Sequence, residues 1–169
     1  MPEFAIVLLC CIFGFSAAAK AADRRAFRAT LGELGLTGAT VAAAAVAVPA
    51  AEAAGAALLL PAFTRPYGAV LLLALLVAFG AAAWRARGRH IDCNCFGSAL
   101  QEELGAGTYV RIAACAALAV YTLLETDGRS LLALTMPDLA CITLASAGLL
   151  AVYVLLLSIA RHRKSGLTL

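Results

Sequence analysis

The sequence predicts an all-α protein, a polytopic bundle of transmembrane helices with a four-helix core and a fifth helix near the C-terminus. Of its 169 residues, 63% are hydrophobic and only 14% are charged, and the mean hydropathy is +0.93. A soluble domain is closer to about half apolar and a quarter charged. The apolar residues come in long uninterrupted blocks, as in membrane-spanning helices, and lack the alternation of outer-membrane barrel strands.

Five apolar segments have about the length that crosses the hydrocarbon core, which is roughly 20 residues. They occupy residues 4–22, 39–63, 67–84, 108–124 and 137–160. The first segment follows Glu3 and lacks the preceding Lys or Arg of a signal peptide, so we expect it to remain as a span. The gaps between segments are too short for a soluble domain. Residues 1–169 are therefore expected to form one integral membrane domain.

The stretch between the first two segments is charged and has helical periodicity. Phe27, Leu31 and Leu34 recur at helical spacing, while Arg and Glu residues occupy the other faces. This pattern predicts a short amphipathic helix lying in the membrane interface.

Basic residues predict the orientation of the chain in a cell membrane. Of the 13 Lys and Arg residues, all but Arg65 and Arg129 follow the first segment, flank the loop before the fourth, or follow the fifth. The positive-inside rule then places that loop and the C-terminus in the cytoplasm. Because the charges cluster at segment ends, the net charge of +3 indicates contact with membrane lipids and no nucleic-acid partner.

The loop between the third and fourth segments reads RGRHIDCNCFG and holds Cys93 and Cys95. The other four cysteines lie in apolar segments, where thiols usually act as small hydrophobic side chains. Two thiols one residue apart can close a disulfide where the backbone turns, and a small strained ring is prone to exchange. Three interpretations stay open: redox exchange, binding of a soft metal such as Cu(I), or two ordinary reduced cysteines.

Charged neighbours of this cysteine pair bear on its reactivity, because nearby positive charge favours the thiolate. Arg89 and His90 are therefore candidate residues for tuning the thiols, whereas Asp92 acts in the opposite direction.

Glu52 is the one acid deep inside a predicted span, in the stretch AVPAAEAAGAALLL. An acid in the membrane usually faces the interior of a bundle. It is either a proton relay or polar partner near a buried site, or a protonated side chain bonded to a neighbouring helix. Pro49, one turn earlier, is expected to kink the helix. Lys20 is the obvious opposite charge, but its place near the end of the first span predicts that it extends toward the headgroups.

Several motifs of autonomous enzymes are missing from the sequence. It contains no Walker loop, GxGxxG, HExxH or Ser/His/Asp constellation, and its two histidines both lie at the ends of apolar segments. We therefore expect no bound cofactor, and neither a hydrolase nor a pump.

Four stretches together resemble the methylamine utilisation protein MauE family, and DoxX-like proteins more distantly. They are GFSAAAKAADRRAFRATLGELGL, AVAVPAAEAAGAALLL, DCNCFGS and YVRIAACAALA. The resemblance covers residues 4–124, and its most specific parts are the Pro and Glu of the second span and the Cys-x-Cys-Phe-Gly element. Residues 137–160 lie beyond the four-helix core of that family.

This resemblance implies a membrane protein of amine metabolism that assists disulfide formation in an exported client. The name-giving client is the small subunit of methylamine dehydrogenase, and a thioredoxin-like protein of the MauD type acts beside the membrane protein. Cys93 and Cys95 would be the thiol–disulfide pair, and Glu52 and Lys20 the membrane-embedded polar residues. A soft-metal transporter and a non-catalytic membrane scaffold are the alternative functions.

Overall fold

The computed structural model describes residues 2–87, 92–93, 102–103, 106–124, 137, 140–149, 151–152 and 155. The helices are α1 (Pro2–Ala22), α2 (Arg24–Glu33), α3 (Ala39–Leu58), α4 (Arg65–Arg85), α5 (Ala106–Leu124) and α6 (Ala140–Leu149). Two strands of two residues each, β1 (Asp92–Cys93) and β2 (Glu102–Glu103), pair in antiparallel fashion between α4 and α5.

The predicted all-α transmembrane bundle is confirmed. Within the described residues, α1, α3, α4 and α5 are long and apolar enough to cross a membrane. They form a ring in which α1 packs against α3, α3 against α4, α4 against α5, and α5 back against α1. Of the predicted fifth span, the structure describes the apolar helix α6 and helical residues at 137, 151, 152 and 155, and the rest of residues 137–160 lies outside the described part.

The second predicted span is wrong at its C-terminal boundary. Helix α3 ends at Leu58, five residues before the expected position, because the chain turns at residues 59–64. Pro61 lacks the amide hydrogen that a continuing helix would need. The Thr64 hydroxyl donates to the Leu58 carbonyl at 2.8 Å and so satisfies a terminal acceptor of α3.

The predicted amphipathic helix is present as α2, and its apolar face packs on α3. Asp23 separates α1 from α2, and its carboxylate accepts a hydrogen bond from the Ala26 amide at 3.1 Å, which caps the new helix. Phe27 and Leu31 are buried in a cluster with Ala45 of α3. The apolar side of α2 is thus covered by protein.

The bundle has one tightly packed end and one hollow end. The packed end contains the start of α1, the end of α3, the start of α4 and the end of α5. Its fully buried side chains are Leu9, Leu59, Ala69, Leu72 and Ala119. The hollow end contains the opposite halves of these helices and α2, which line a partly open cavity.

Close contact between α3 and α4 at the packed end depends on glycine. A Cβ at Gly68 would lie 2.9 Å from the Gly55 carbonyl oxygen and 3.0 Å from Cβ of Leu58. The backbone of α3 cannot yield as a flexible side chain can. Small residues at this crossing therefore set the distance between the two helices.

We expect Gly68→Ala to lower the free energy of unfolding by about 1–3 kcal/mol, because the added methyl group overlaps the α3 backbone. Thermal unfolding in detergent measures the change, with the loss of helix followed by far-ultraviolet circular dichroism. Gly80→Ala is the matched control in the same helix, since a Cβ there meets nothing within 4 Å. An equal loss of stability in both variants would contradict the role assigned to Gly68.

Candidate functional site

Lys20 of α1 and Glu52 of α3 form an ion pair inside the bundle. Lys20 Nζ lies 2.7 Å from Glu52 Oε1, and the two side chains are 2% and 0% exposed. Ser16, one turn before Lys20, accepts a hydrogen bond from Lys20 Nζ and donates one to Glu52 Oε1 at 3.1 Å. The three side chains form a closed triangle of hydrogen bonds.

The expectation that Lys20 extends toward the headgroups is wrong. Lys20 does lie in the last turn of α1, but the chain continues at once into α2, which folds against α3. The ammonium group is 5.7 Å from the centroid of the Phe27 ring and 5.3 Å from that of Phe79, distances at which aromatic rings attract cations. The end of the helix is therefore buried within the protein.

Glu52 has a polar partner on a neighbouring helix, as both interpretations of its sequence position require. The partners are Lys20 and Ser16 of α1. Helix α3 stays helical through Pro49, which is buried beside Glu52 on the same face. A single charge at the centre of a membrane helix costs about 2.5–3.5 kcal/mol on insertion scales, so the two charges compensate each other only while paired.

A cavity of about 820 Å³ lies beside this ion pair at the hollow end of the bundle. Its walls come from α1 to α5, from residues 34–36 between α2 and α3, and from Leu149, and most of the side chains are aliphatic or aromatic. The polar residues in the wall are Ser16, Lys20, Thr30, Glu52, Arg85, Thr108 and Arg111. The cavity is thus an apolar chamber with an ion pair in its wall.

Two residues of the cavity wall each carry a buried oxygen atom that has no hydrogen-bond partner in the described part of the chain. The two atoms are Oε2 of Glu52 and Oγ1 of Thr108. Glu52 is 0% exposed and Thr108 is 7% exposed, so bulk water does not serve them. Buried polar atoms are paired in most proteins, and these two oxygens are covered by protein atoms on the cavity side as well.

Three residues of α5 form a stripe along the cavity, and this stripe was not predicted from the sequence. Thr108, Arg111 and Cys115 follow one another at intervals of three and four residues, and all three line the cavity. That spacing puts them on one helix face. Their helical period was visible in the sequence, but Thr108 and Arg111 are common residue types near the end of a span, and a thiol such as Cys115 in an apolar segment usually acts as a small hydrophobic side chain.

The cysteine loop joins two helix ends that line the cavity. Arg85 closes α4, Thr108 lies in the first turn of α5, and both belong to the cavity wall. Between them, Cys93 is the second residue of β1 and has Glu102 as its partner in β2. The side chain of Cys93, together with Arg89, His90 and Cys95, lies outside the described residues.

The cysteines of the apolar helices are free thiols, as their positions predict. Cys10, Cys11, Cys115 and Cys141 form no disulfide, and Cys10 Sγ donates a hydrogen bond to the Ala56 carbonyl at 3.2 Å. Across the described side chains, no cluster of three or more His, Cys, Asp or Glu could hold a metal ion.

We expect Lys20→Met or Glu52→Leu alone to lower the free energy of unfolding by about 3–5 kcal/mol, because each leaves one buried charge without its partner. The double variant should recover most of that loss, since both charges are then gone. Thermal unfolding of the four proteins in detergent gives the coupling free energy as a double-mutant cycle.

Glu33→Leu is the matched control for these substitutions, because Glu33 is exposed on α2. It should change the free energy of unfolding by no more than about 0.5 kcal/mol. Losses that simply add in the Lys20→Met, Glu52→Leu double variant would contradict the ion pair.

Comparison with known proteins identifies one family. The family model described as "Methylamine utilisation protein MauE" matches residues 1–125. Searches of the curated proteins and of the solved structures found no match. Together with the four apolar helices, the family match identifies a multi-pass membrane protein. The chain belongs to the methylamine utilisation protein MauE family.

Proposed function

We propose that this protein is a membrane thiol–disulfide exchange factor that assists disulfide formation or maturation of an exported protein. Cys93 and Cys95 are the exchanging pair, and a thioredoxin-like protein of the MauD type is the partner. The observation that carries the proposal is the Cys-x-Cys pair on the loop between the two helix ends at the cavity wall. Membership of the MauE family supports it.

The chemistry of the pair is an exchange of one disulfide for another. A partner thiolate attacks the Cys93–Cys95 disulfide, a mixed disulfide forms, and the second partner thiol displaces it to leave two cysteine thiols here and a disulfide in the partner. The reaction is balanced without any other reactant. Arg89 and His90 favour the thiolate forms of the loop cysteines by their positive charge.

Orientation bears on which compartment the loop serves. The basic residues favour a cytoplasmic loop and C-terminus in the cell membrane, whereas an exported client is oxidised on the outer side. Two routes would reconcile a cytoplasmic loop with an outer client. In the first, the loop folds back into the bundle and passes electrons across it. In the second, the protein carries reducing equivalents outward. Helices α4 and α5, whose ends reach both the loop and the cavity, favour the first route.

We expect Cys95→Ser, incubated with the disulfide form of the thioredoxin-like partner, to trap a mixed disulfide. The Cys93 thiolate attacks the partner disulfide in the reverse of the exchange and releases one partner thiol, and Cys95, which would complete that reverse exchange, is missing. The measurement is non-reducing electrophoresis and mass spectrometry of the purified full chain incubated with that partner. In the unmodified chain, Cys93 and Cys95 should be found linked and should be released by dithiothreitol.

Cys141→Ser is the control, since Cys141 is an exposed free thiol on α6. It should leave both the internal disulfide and the partner exchange unchanged. Client maturation that persists in the Cys93→Ser, Cys95→Ser double variant would contradict the exchange chemistry and favour a scaffold. Stoichiometric Cu(I) uptake that either single substitution abolishes would favour a metal-binding protein.

The orientation is tested by labelling Cys93 in whole cells with a membrane-impermeant thiol reagent. With Cys95 and the four cysteines of the helices replaced, Cys93 should react only after the cells are opened. Labelling in intact cells would contradict the cytoplasmic loop and would put the pair on the side of its exported client.

A further inference from the structure

We propose that the cavity at the hollow end of the bundle binds one acyl chain of an anionic phospholipid, whose phosphate group lies at Arg85 and Arg111. The site goes beyond the proposed function and does not depend on the loop thiols.

The cavity is long in the direction of the helices. Along α1 its wall runs from Leu8 to Lys20, which is about 18 Å at the rise of an α-helix. Along α5 the wall runs from Thr108 to Leu118, which is about 15 Å. One leaflet contributes half of a hydrocarbon core that is about 30 Å thick. The cavity therefore has about the length of a lipid tail within one leaflet.

The wall is apolar at the depth of the lipid tails. Leu8, Leu76 and Leu118 line the part of the cavity that is farthest from the hollow end. Ala78 of α4 and Ala114 of α5 also line the cavity and are exposed, although both lie well inside apolar helices. A tail can thus enter at the depth of the hydrocarbon chains, and it gains dispersion contacts with the aliphatic and aromatic wall.

The charged residues of the wall favour an anionic headgroup. Among the described residues they are Lys20, Glu52, Arg85 and Arg111. Lys20 and Glu52 neutralise each other in their ion pair, so the charge that remains is that of the two arginines. A guanidinium group binds phosphate through paired, charge-assisted hydrogen bonds. The wall is thus complementary to a phosphate group.

Both arginines lie where the headgroups of one leaflet are expected. Arg85 is the last residue of α4, and Arg111 follows the first turn of α5. Trp84 and Tyr109, which neighbour this end of the cavity, are exposed, and such side chains are enriched at membrane interfaces. Arg85 is itself exposed, so its long side chain can turn toward a phosphate. A phospholipid would therefore have its polar end at the arginines and its tail toward the middle of the membrane.

The test is native mass spectrometry of the purified and delipidated full chain in detergent, titrated with dioleoylphosphatidylglycerol. We expect one lipid to bind per chain. Ala82→Phe places a large side chain in the cavity wall and should weaken binding by about tenfold or more. Ala81→Phe is the matched control, because Ala81 is exposed and lies outside the cavity wall, and it should bind like the unsubstituted chain.

Dioleoylglycerol tests the headgroup, because it has the same acyl chains and lacks the phosphate. It should bind about tenfold more weakly than dioleoylphosphatidylglycerol. Arg85→Gln should lower the affinity for dioleoylphosphatidylglycerol about three- to tenfold and leave that for dioleoylglycerol unchanged. Arg85 is exposed, so this variant should keep its thermal stability. Arg87→Gln is the matched control, since Arg87 is exposed and lies outside the cavity wall.

Equal affinity for the two lipids in the unsubstituted chain would overturn the inference. Equal affinity for dioleoylphosphatidylglycerol in Ala82→Phe and Ala81→Phe would do so as well. Phosphorus analysis and mass spectrometry of the lipid that copurifies with the chain identify the natural occupant. We expect one phospholipid per chain, retained in Ala81→Phe and depleted in Ala82→Phe. A free fatty acid in its place would overturn the assignment to a phospholipid.

Discussion

The contact between Lys20 and Glu52 is the constraint on which the arrangement of the bundle depends. Glu52 is the one charged residue of α3 and lies far from its ends, so it cannot face lipid without a large cost in free energy, and Lys20 is the cation that pairs with it. Helices α1 and α3 must therefore turn these positions toward each other, which fixes both their rotation and their axial register. Ser16 follows from the same geometry, because it lies one turn from Lys20 on the same face of α1.

The same constraint explains why one end of the bundle is solid and the other hollow. At the packed end, Gly55 and Gly68 let α3 and α4 approach until their backbones touch. At the other end, the ion pair occupies the interface of α1 with α3, and α2 closes over it through Phe27 and Leu31. Because Lys20 and Glu52 stay bonded to each other, their side chains do not extend into the space beside them. A cavity with polar atoms in an apolar wall is the result.

Much of this fold follows from the sequence, because long apolar runs and a lone membrane acid are unambiguous signals. The four core helices and the inward orientation of Glu52 could be predicted in this way. The burial of Lys20 could not, since it depends on α2 folding back at Asp23, a tertiary contact that no local pattern records. The early end of α3 required the tertiary hydrogen bond of Thr64 in addition to Pro61. Thr108 and Cys115 matter only through the cavity they face, which exists once five helices are assembled.

The position of the cavity relates the ion pair to the cysteine loop. Lys20 and Glu52 line the cavity from α1 and α3, and α4 and α5, whose ends flank the loop, line it as well. A charge left alone in a low-dielectric interior is costly, so the two side chains stay together in the cavity wall. The contact that holds α1 against α3 and the two helices that carry the loop therefore surround one shared cavity.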